Sequence, residues 1–284
     1  MRFPIKLNKN ILPNFLHNIL PSSFDPRGLE DISNSVSGFA ECVSAIKIDN
    51  TWKSTTRNRH KYADKFIIEN GFLSKEKVFL EIGASAGITS MELIQKMNNT
   101  FNKYYVTDLL FRVDAIKTNK ATYYYHPVSK EFILMVNKYF LIYNDMEKKL
   151  FPFNIILNYI ISKKPEYCED SVKKIDLLHP SIKDLQRNNK KIKITEYNMF
   201  GQWKNEKADI VKVANVLNRT YFSDKEICLA LHNINEAMNE GGVMILIDNR
   251  KIEKVSFFIK NGKNFNLHRS INGGTEIIDL VVQR

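Results

Sequence analysis

The sequence predicts an α/β fold, an open and largely parallel sheet with helices on its faces, and three observations carry that reading. An apolar run at residues 78–80 ends in Glu81 and breaks into a loop of small residues, Gly83-Ala84-Ser85-Ala86-Gly87, after which a helical pattern begins. A second β-rich run, 103–107, ends at Asp108, 21 residues beyond Gly87. Further on, residues 229–238 read as a helix, Asn239-Glu240-Gly241-Gly242 as a turn and 243–248 as another apolar strand. Strand, tight loop and helix in alternation is how doubly wound proteins are built, and the loop is where they hold a nucleotide.

Composition narrows the class. With 284 residues, the chain is long enough for one large domain or for one domain carrying an insertion. Cys42, Cys168 and Cys228 are scattered, form no CxxC pair and match no metal-ligand spacing, so a reduced, cytoplasmic protein without disulfides, structural zinc or an iron–sulfur cluster is expected. Residues 1–20 mix Arg, Lys, Asn and Pro with apolar residues and do not read as a signal peptide. The most apolar stretch, 150–161, falls short of the roughly 20 residues that span a bilayer, so no transmembrane segment is expected. The net charge of +11 divides into +4 over 1–77, −1 over 78–110, +6 over 111–191 and +2 over 192–284. Excess lysine is thus spread along the chain, and a nucleic-acid partner is the lesser reading.

The elements follow in order. Segment 22–77 reads mostly helical, which predicts a helical N-terminal cap over 1–77. Within it, 51–65 gathers Lys53, Arg57, Arg59, His60, Lys61 and Lys65 around Trp52 and Tyr62. A solvated helix face explains that run better than a grip on an acidic substrate. Asp108 closes the second strand where an acid holds a ribose by its hydroxyls; a helix N-cap is the plainer alternative. Residues 111–190 form an insertion between the second and third strands. Tyr123-Tyr124-Tyr125 and Phe132-Ile133-Leu134 around Pro127 predict a hairpin, and a helix over 145–162 places Leu150, Phe153, Ile156, Leu157 and Ile160 on one face. That face packs on a core, or the insertion serves as a lid. Residues 192–195 read as the third strand, 208–214 as the fourth, and 265–271 with 275–282 as two strands joined at Asn272-Gly273-Gly274.

The acid ahead of the first glycine discriminates between ligands. A carboxylate there repels a pyrophosphate and favours a ligand bearing an ammonium and a sulfonium. Glu81-Ile82-Gly83-Ala84-Ser85-Ala86-Gly87 resembles the first motif of class I S-adenosylmethionine-dependent methyltransferases, acidic-x-Gly-x-Gly-x-Gly, with Ser85 in place of the middle glycine. The resemblance covers residues 78–110 and 192–284. It implies a Rossmann-like seven-stranded sheet with a terminal antiparallel hairpin over 78–284, and S-adenosylmethionine as cofactor. Its cofactor residues would be Glu81, Gly83, Ala84, Ser85 and Gly87 in the loop, Asp108 and Leu109 at the ribose, Asn198 and Met199 near the adenine, and Ala214 at the end of the fourth strand. Asn215, Asn218 and Tyr221, in the loop where substrate meets the methyl donor, are the catalytic candidates, with Arg219 as an anchor for an acidic group.

The motif also fits the Gly-xxx-Gly-Ile loop of short-chain dehydrogenases, whose Tyr-xxx-Lys pair matches Tyr159…Lys163 and Tyr221…Lys225. Those enzymes place no acid before the loop and need an Asn-Asn-Ala-Gly stretch that is missing here. Among methyltransferases, the sequence has no Asn/Asp-Pro-Pro-Tyr/Phe motif and no Pro-Cys pair. Asn215 stands where a metal-dependent type has a carboxylate, so no metal is expected. The sequence therefore predicts methyl transfer to an oxygen or nitrogen of a small-molecule or glycan-like acceptor. The alternatives are a nicotinamide-dependent reductase, an RNA methyltransferase or a catalytically silent relative.

Overall fold

The computed structural model describes residues 4–31, 35–49, 51–144 and 153–282. The chain divides into two compact units, residues 1–54 with 112–177 and residues 55–111 with 178–284. In chain order, the first unit begins with β1 (Ile5–Asn8), β2 (Ser22–Ser23), α1 (Val36–Val43), β3 (Lys47–Ile48) and β4 (Thr51–Trp52). The second unit follows with α2 (Lys61–Glu69), β5 (Val78–Ile82), α3 (Ile88–Met97) and β6 (Lys103–Asp108). The chain then returns to the first for β7 (Arg112–Lys117), β8 (Thr122–Tyr125), β9 (Phe132–Val136), β10 (Phe140–Tyr143), α4 (Phe153–Ser162) and β11 (Lys173–Asp176). It ends in the second with α5 (Pro180–Asn188), β12 (Ile192–Glu196), β13 (Ala208–Ala214), α6 (Asp224–Glu236), β14 (Met238–Asn249), β15 (Glu253–Asn261), β16 (Asn264–Ile271) and α7 (Ile278–Val282).

The second unit is a seven-stranded sheet in the order β12-β6-β5-β13-β14-β15-β16. Its first five strands run parallel and the last two antiparallel. Both faces are covered, which is why β5 is buried along its whole length and reads as a continuous apolar run. Period-two alternation divides its side chains: Phe79 packs with Ile67 of α2 and Leu93 and Ile94 of α3, while Leu80 packs with Leu231 and Ile234 of α6. Glu81 therefore points to the α2–α3 face, as does Lys212, its register partner on β13. This is the Rossmann-like α/β class that the sequence predicts.

The terminal hairpin falls one strand earlier than expected: β15 and β16 are its arms, joined at Gly262, and 278–282 is helix. Asn272, Gly273 and Gly274 are all left-handed and end β16, after which Ile277 and Val281 bury themselves against the α6 side of the sheet. Apolar spacing there serves a helix rather than a strand.

The first unit is a second seven-stranded sheet, ordered β11-β7-β8-β9-β10-β1-β2, antiparallel except where β1 meets β2. The expected hairpin is β8–β9. The N-terminal stretch departs from the helical cap: β1 pairs with β10, Ile5 opposite Ile142, and among the described residues up to 54 only α1 is an α-helix. No local pattern reveals a partner lying more than 130 residues away. The insertion is likewise more than a hairpin and a helix, and α5, at its expected end, belongs to the second unit. Of the apolar positions expected on α4, Leu157 is buried with Ile116, Tyr125 and Ile142, and Ile160 packs beside them. Leu150 and the side chains of Phe153 and Ile156 lie outside the described residues. Among the described residues no helix is long and apolar enough to cross a membrane.

Candidate functional site

In an open α/β sheet the crevice for a ligand lies outside the carboxyl ends of the strands, where the strand order reverses. Here the reversal falls at β5, with β6 on one side and β13 on the other. The loops leaving these ends are 83–87, 109–111 and 215–223, and they carry most of the residues singled out in the sequence.

The glycine loop is held by backbone. The amides of Gly83 and Ala84 both donate to the Thr107 carbonyl, at 3.0 and 2.9 Å. Gly83, Ser85 and Gly87 are all left-handed, with φ of +82°, +55° and +73°. Ser85 thus adopts a conformation that glycine takes at little cost, and the departure from the motif leaves the turn intact. The Ser85 amide donates to Asp108 Oδ2 at 2.6 Å, and the Leu109 amide to Asp108 Oδ1 at 2.7 Å. Asp108 caps no helix; its buried carboxylate ties the end of β6 to the loop after β5.

Gly83 is required by close approach, since a Cβ there would stand 2.7 Å from Val216 Cγ1 and 3.4 Å from the Ala214 carbonyl. A Cβ on Gly87 would meet Ile182 of α5 at 3.0 Å. That contact packs the glycine loop against α5. Ser85 Oγ is buried and has no hydrogen-bond partner, an orphaned polar atom within the loop.

Glu81 is placed away from that loop. Tyr104 donates its hydroxyl to Glu81 Oε2 at 2.7 Å, and Lys212 Nζ lies 3.3 Å from Oε1. Lys212 also donates to Asp64 Oδ1 at 3.3 Å, and Lys96 reaches Asp64 Oδ2 at 3.3 Å. Burial would lower the Lys212 ammonium, but Asp64 and Glu81 together hold it above its ordinary value. Burial pushes the Tyr104 phenol up, and the charge of Glu81 adds to that. The expectation that Glu81 attracts a ligand's ammonium gives way to a buried ion cluster, because alternation along β5 turns its side chain to the α2–α3 face.

The remaining candidates are mostly engaged with the protein itself. Asn215 is left-handed at +61°; its amide donates to the Ile247 carbonyl at 2.8 Å, and its Oδ1 accepts from the Asn249 amide at 2.7 Å. Asn218 Oδ1 accepts from the Thr220 amide at 3.0 Å and its Nδ2 donates to the Asn215 carbonyl at 3.3 Å, a turn-forming pattern. Tyr221 is half-buried just ahead of α6, beside Phe222. Arg219 pairs with Asp224 and Asp279 and accordingly anchors the chain itself. Exposed Asn198 accepts from the Phe200 amide at 3.0 Å, whereas Met199 is buried in the α6-side core. Ala84 and Ala214 lie in the α2–α3-side core.

Sequence reasoning missed His60. It was part of a basic run read as solvated, yet His60 and Asp64 are both buried. His60 Nε2 lies 3.2 Å from Asn215 Nδ2. Burial, then the charges of Lys212 and Arg59, lower its imidazole well below 6.5, so the ring is neutral. Burial also lowers Arg59 and raises Asp248. The one available signal was position: an apolar helix face starting at Ala63 puts His60 on the inner side of its first turn.

The short-chain dehydrogenase alternative finds no helical Tyr-xxx-Lys pair at Tyr221. Ser223 is the N-cap of α6, with its side chain and Glu226 forming a capping box, so Tyr221 precedes the helix that carries Lys225. Tyr159 lies in the first unit, exposed on α4.

No family model and no curated protein matches the chain. Solved structures similar to it include the pyocyanin biosynthetic protein PhzM, at 11% identity over 66% of this chain and 36% of that one, with a TM-score of 0.37. The N-methyltransferase NodS from Bradyrhizobium japonicum WM9, in complex with S-adenosyl-l-homocysteine, is 14% identical over 78% of this chain and 71% of that one, with a TM-score of 0.35. CalS10, an amino pentose methyltransferase from Micromonospora echinaspora, is 10% identical over 72% and 66%, with a TM-score of 0.32. This chain spans 36% of the length of PhzM. Such distant likenesses bear on neither ligand nor reaction. Its strand order, its covered parallel strands and its glycine loop at the order reversal make the unit of residues 55–111 and 178–284 a Rossmann-like α/β unit.

Proposed function

We propose that this chain is an S-adenosylmethionine-dependent methyltransferase that moves a methyl group to an oxygen or nitrogen of a small or medium-sized acceptor. One observation carries the reading: the left-handed Ser85 gives its amide to Asp108 at 2.6 Å, which joins the glycine loop and the acid after the second strand into one rigid element at the order reversal. A nucleoside is held there by backbone that approaches closely and by an acid that takes ribose hydroxyls. The orphaned Ser85 Oγ, buried in that loop, fits a polar ligand alongside it. Gly83, Ala84 and Ser85 with Asp108 and Leu109 would hold the nucleoside end of the cofactor, and Glu81 would support the strand from behind. Once bound, the cofactor supplies an electrophilic methyl on a sulfonium leaving group. The protein's own part is alignment, which is worth roughly 7–11 kcal/mol of such a barrier. Tyr221, half-buried after β13, is the candidate to orient the acceptor.

A second reading, a binding protein that keeps the fold without the chemistry, is favoured by the engagement of Asn215 and Asn218 in bonds within their own loop. Calorimetric titration with S-adenosylmethionine, S-adenosylhomocysteine, NADH and NADPH tests both. Binding of the first two alone, with methyl turnover on an acceptor panel, supports the proposal. Binding without turnover on any acceptor favours the second reading. Binding of a nicotinamide cofactor, or of none of the four, refutes the proposal.

A further inference from the structure

His60 is used neither by the sequence motifs nor by the proposed reaction, and its geometry fixes its proton. Asn215 Oδ1 accepts the Asn249 amide at 2.7 Å, which settles the orientation of the side-chain amide. The group facing His60 Nε2 at 3.2 Å is therefore the Asn215 Nδ2 donor, so Nε2 is the lone-pair nitrogen and Nδ1 carries the hydrogen. Nδ1 is buried and has no hydrogen-bond partner. A buried donor without an acceptor is costly, and native proteins keep few of them. The ring that carries it stands, through Nε2, beside Asn215, the first residue after β13, at the carboxyl ends of β13 and β14 where the Asn215 amide meets the Ile247 carbonyl.

We infer that His60 is a ligand-binding residue whose Nδ1–H donates to a carboxylate or carbonyl oxygen of a molecule bound at the carboxyl ends of β13 and β14. The ring cannot act as a base through Nε2, because Asn215 occupies that lone pair. Two sources of that oxygen exist under the proposed function, on which this choice of ligands rests: the methionyl carboxylate of the cofactor and an oxygen of the acceptor.

Calorimetry with S-adenosylhomocysteine and 5′-methylthioadenosine, which lacks the amino-acid moiety, distinguishes them in the wild type, His60→Ala and His60→Asn. An asparagine amide nitrogen takes the place of Nδ1 and controls for folding. If the oxygen belongs to the cofactor, His60→Ala weakens S-adenosylhomocysteine about tenfold, as loss of one charge-assisted hydrogen bond does. Methylthioadenosine then stays unchanged, and His60→Asn recovers most of the loss. If neither ligand is affected, sodium acetate added to the S-adenosylhomocysteine-saturated protein must give a saturable shift of the His60 Nδ1 nitrogen resonance. Equal weakening of both ligands, or no acetate shift, overturns the inference. Should the wild type bind neither nucleoside, the methyltransferase reading fails, and the acetate titration of the protein alone decides the role of His60 by the same criterion.

Discussion

In the unit of residues 55–111 and 178–284 a lysine is buried: Lys212, with a side chain only 2% exposed, lies between Asp64 and Glu81 under α2 and α3. In the unit of residues 1–54 and 112–177, three lysine ion pairs lie at the surface. Lys117 and Lys173 reach Glu30 with 49% and 61% of their side chains exposed, and Lys130 reaches buried Asp114 with 38% exposed. Lysines of the latter kind lay an apolar stem along the protein and leave the charge in water, so each contributes little. A buried pair is different: its desolvation cost rivals its attraction, and apolar replacements are often no worse. The buried lysine stands on β13 opposite Glu81 of β5, and the loops that leave those strands hold Gly83, Ser85, Gly87 and Asn215 in left-handed backbone. The comparison separates charge that ties surface segments from charge buried between a sheet and its helices.

The contrast is sharpest for removal of the cation. Lys212→Met leaves Asp64 and Glu81 uncompensated in the interior and is expected to lower stability by about 3–5 kcal/mol in denaturant melts. Glycine at 87 is the next test. Gly87→Ala combines a left-handed backbone with a contact on Ile182 and is expected to cost about 1–3 kcal/mol of stability. If S-adenosylhomocysteine affinity fell sharply while stability held, Gly87 would belong to the ligand's surface rather than to the helix packing described here.

The buried imidazole adds a pH dependence. His60 is held well below 6.5 in the folded state, so its contribution is complete above pH 6.5 and is lost as pH falls, because the unfolded chain takes up the proton first. His179, lowered by burial and by Arg57, acts with the same sign. Asp248 and Glu253, raised by burial, act with the opposite sign. Between pH 6.5 and 5.5 each histidine is worth up to about 1.4 kcal/mol per pH unit, and His60→Asn is expected to flatten that slope. A variant as acid-sensitive as the wild type would remove His60 from the account. Lys173→Ala, in the other unit, is expected to cost less than about 1 kcal/mol, since half or more of its side chain already meets water.

The parallel unit was legible because its strands, buried on both faces, read as short apolar runs that end at Glu81 and Asp108 or begin after Gly241-Gly242. The loop positions followed from the same runs. The direction of Glu81 was not legible: one step of alternation decides between loop and core, and nothing local marks Lys212 as its partner. The basic run at 51–65 hid the buried His60 among exposed lysines and arginines. In the antiparallel unit only the β8–β9 hairpin was read, because its aromatic and β-branched arms flank a turn with Pro127. Ile5 finds Ile142 by tertiary pairing, which leaves no trace in either segment. The last helix, α7, was taken for a strand since five apolar-rich residues satisfy either period.

Under the proposed function, the loop after β5 and Asp108 at the end of β6 form one cofactor cradle. It is tested most directly by titrating S-adenosylhomocysteine into the wild type and into Asp108→Ala, with circular dichroism as the check on folding. Saturable binding by the wild type and a loss of about 1–3 kcal/mol in the folded variant are expected. Equal affinity in both, or no binding to a folded wild type, would contradict it.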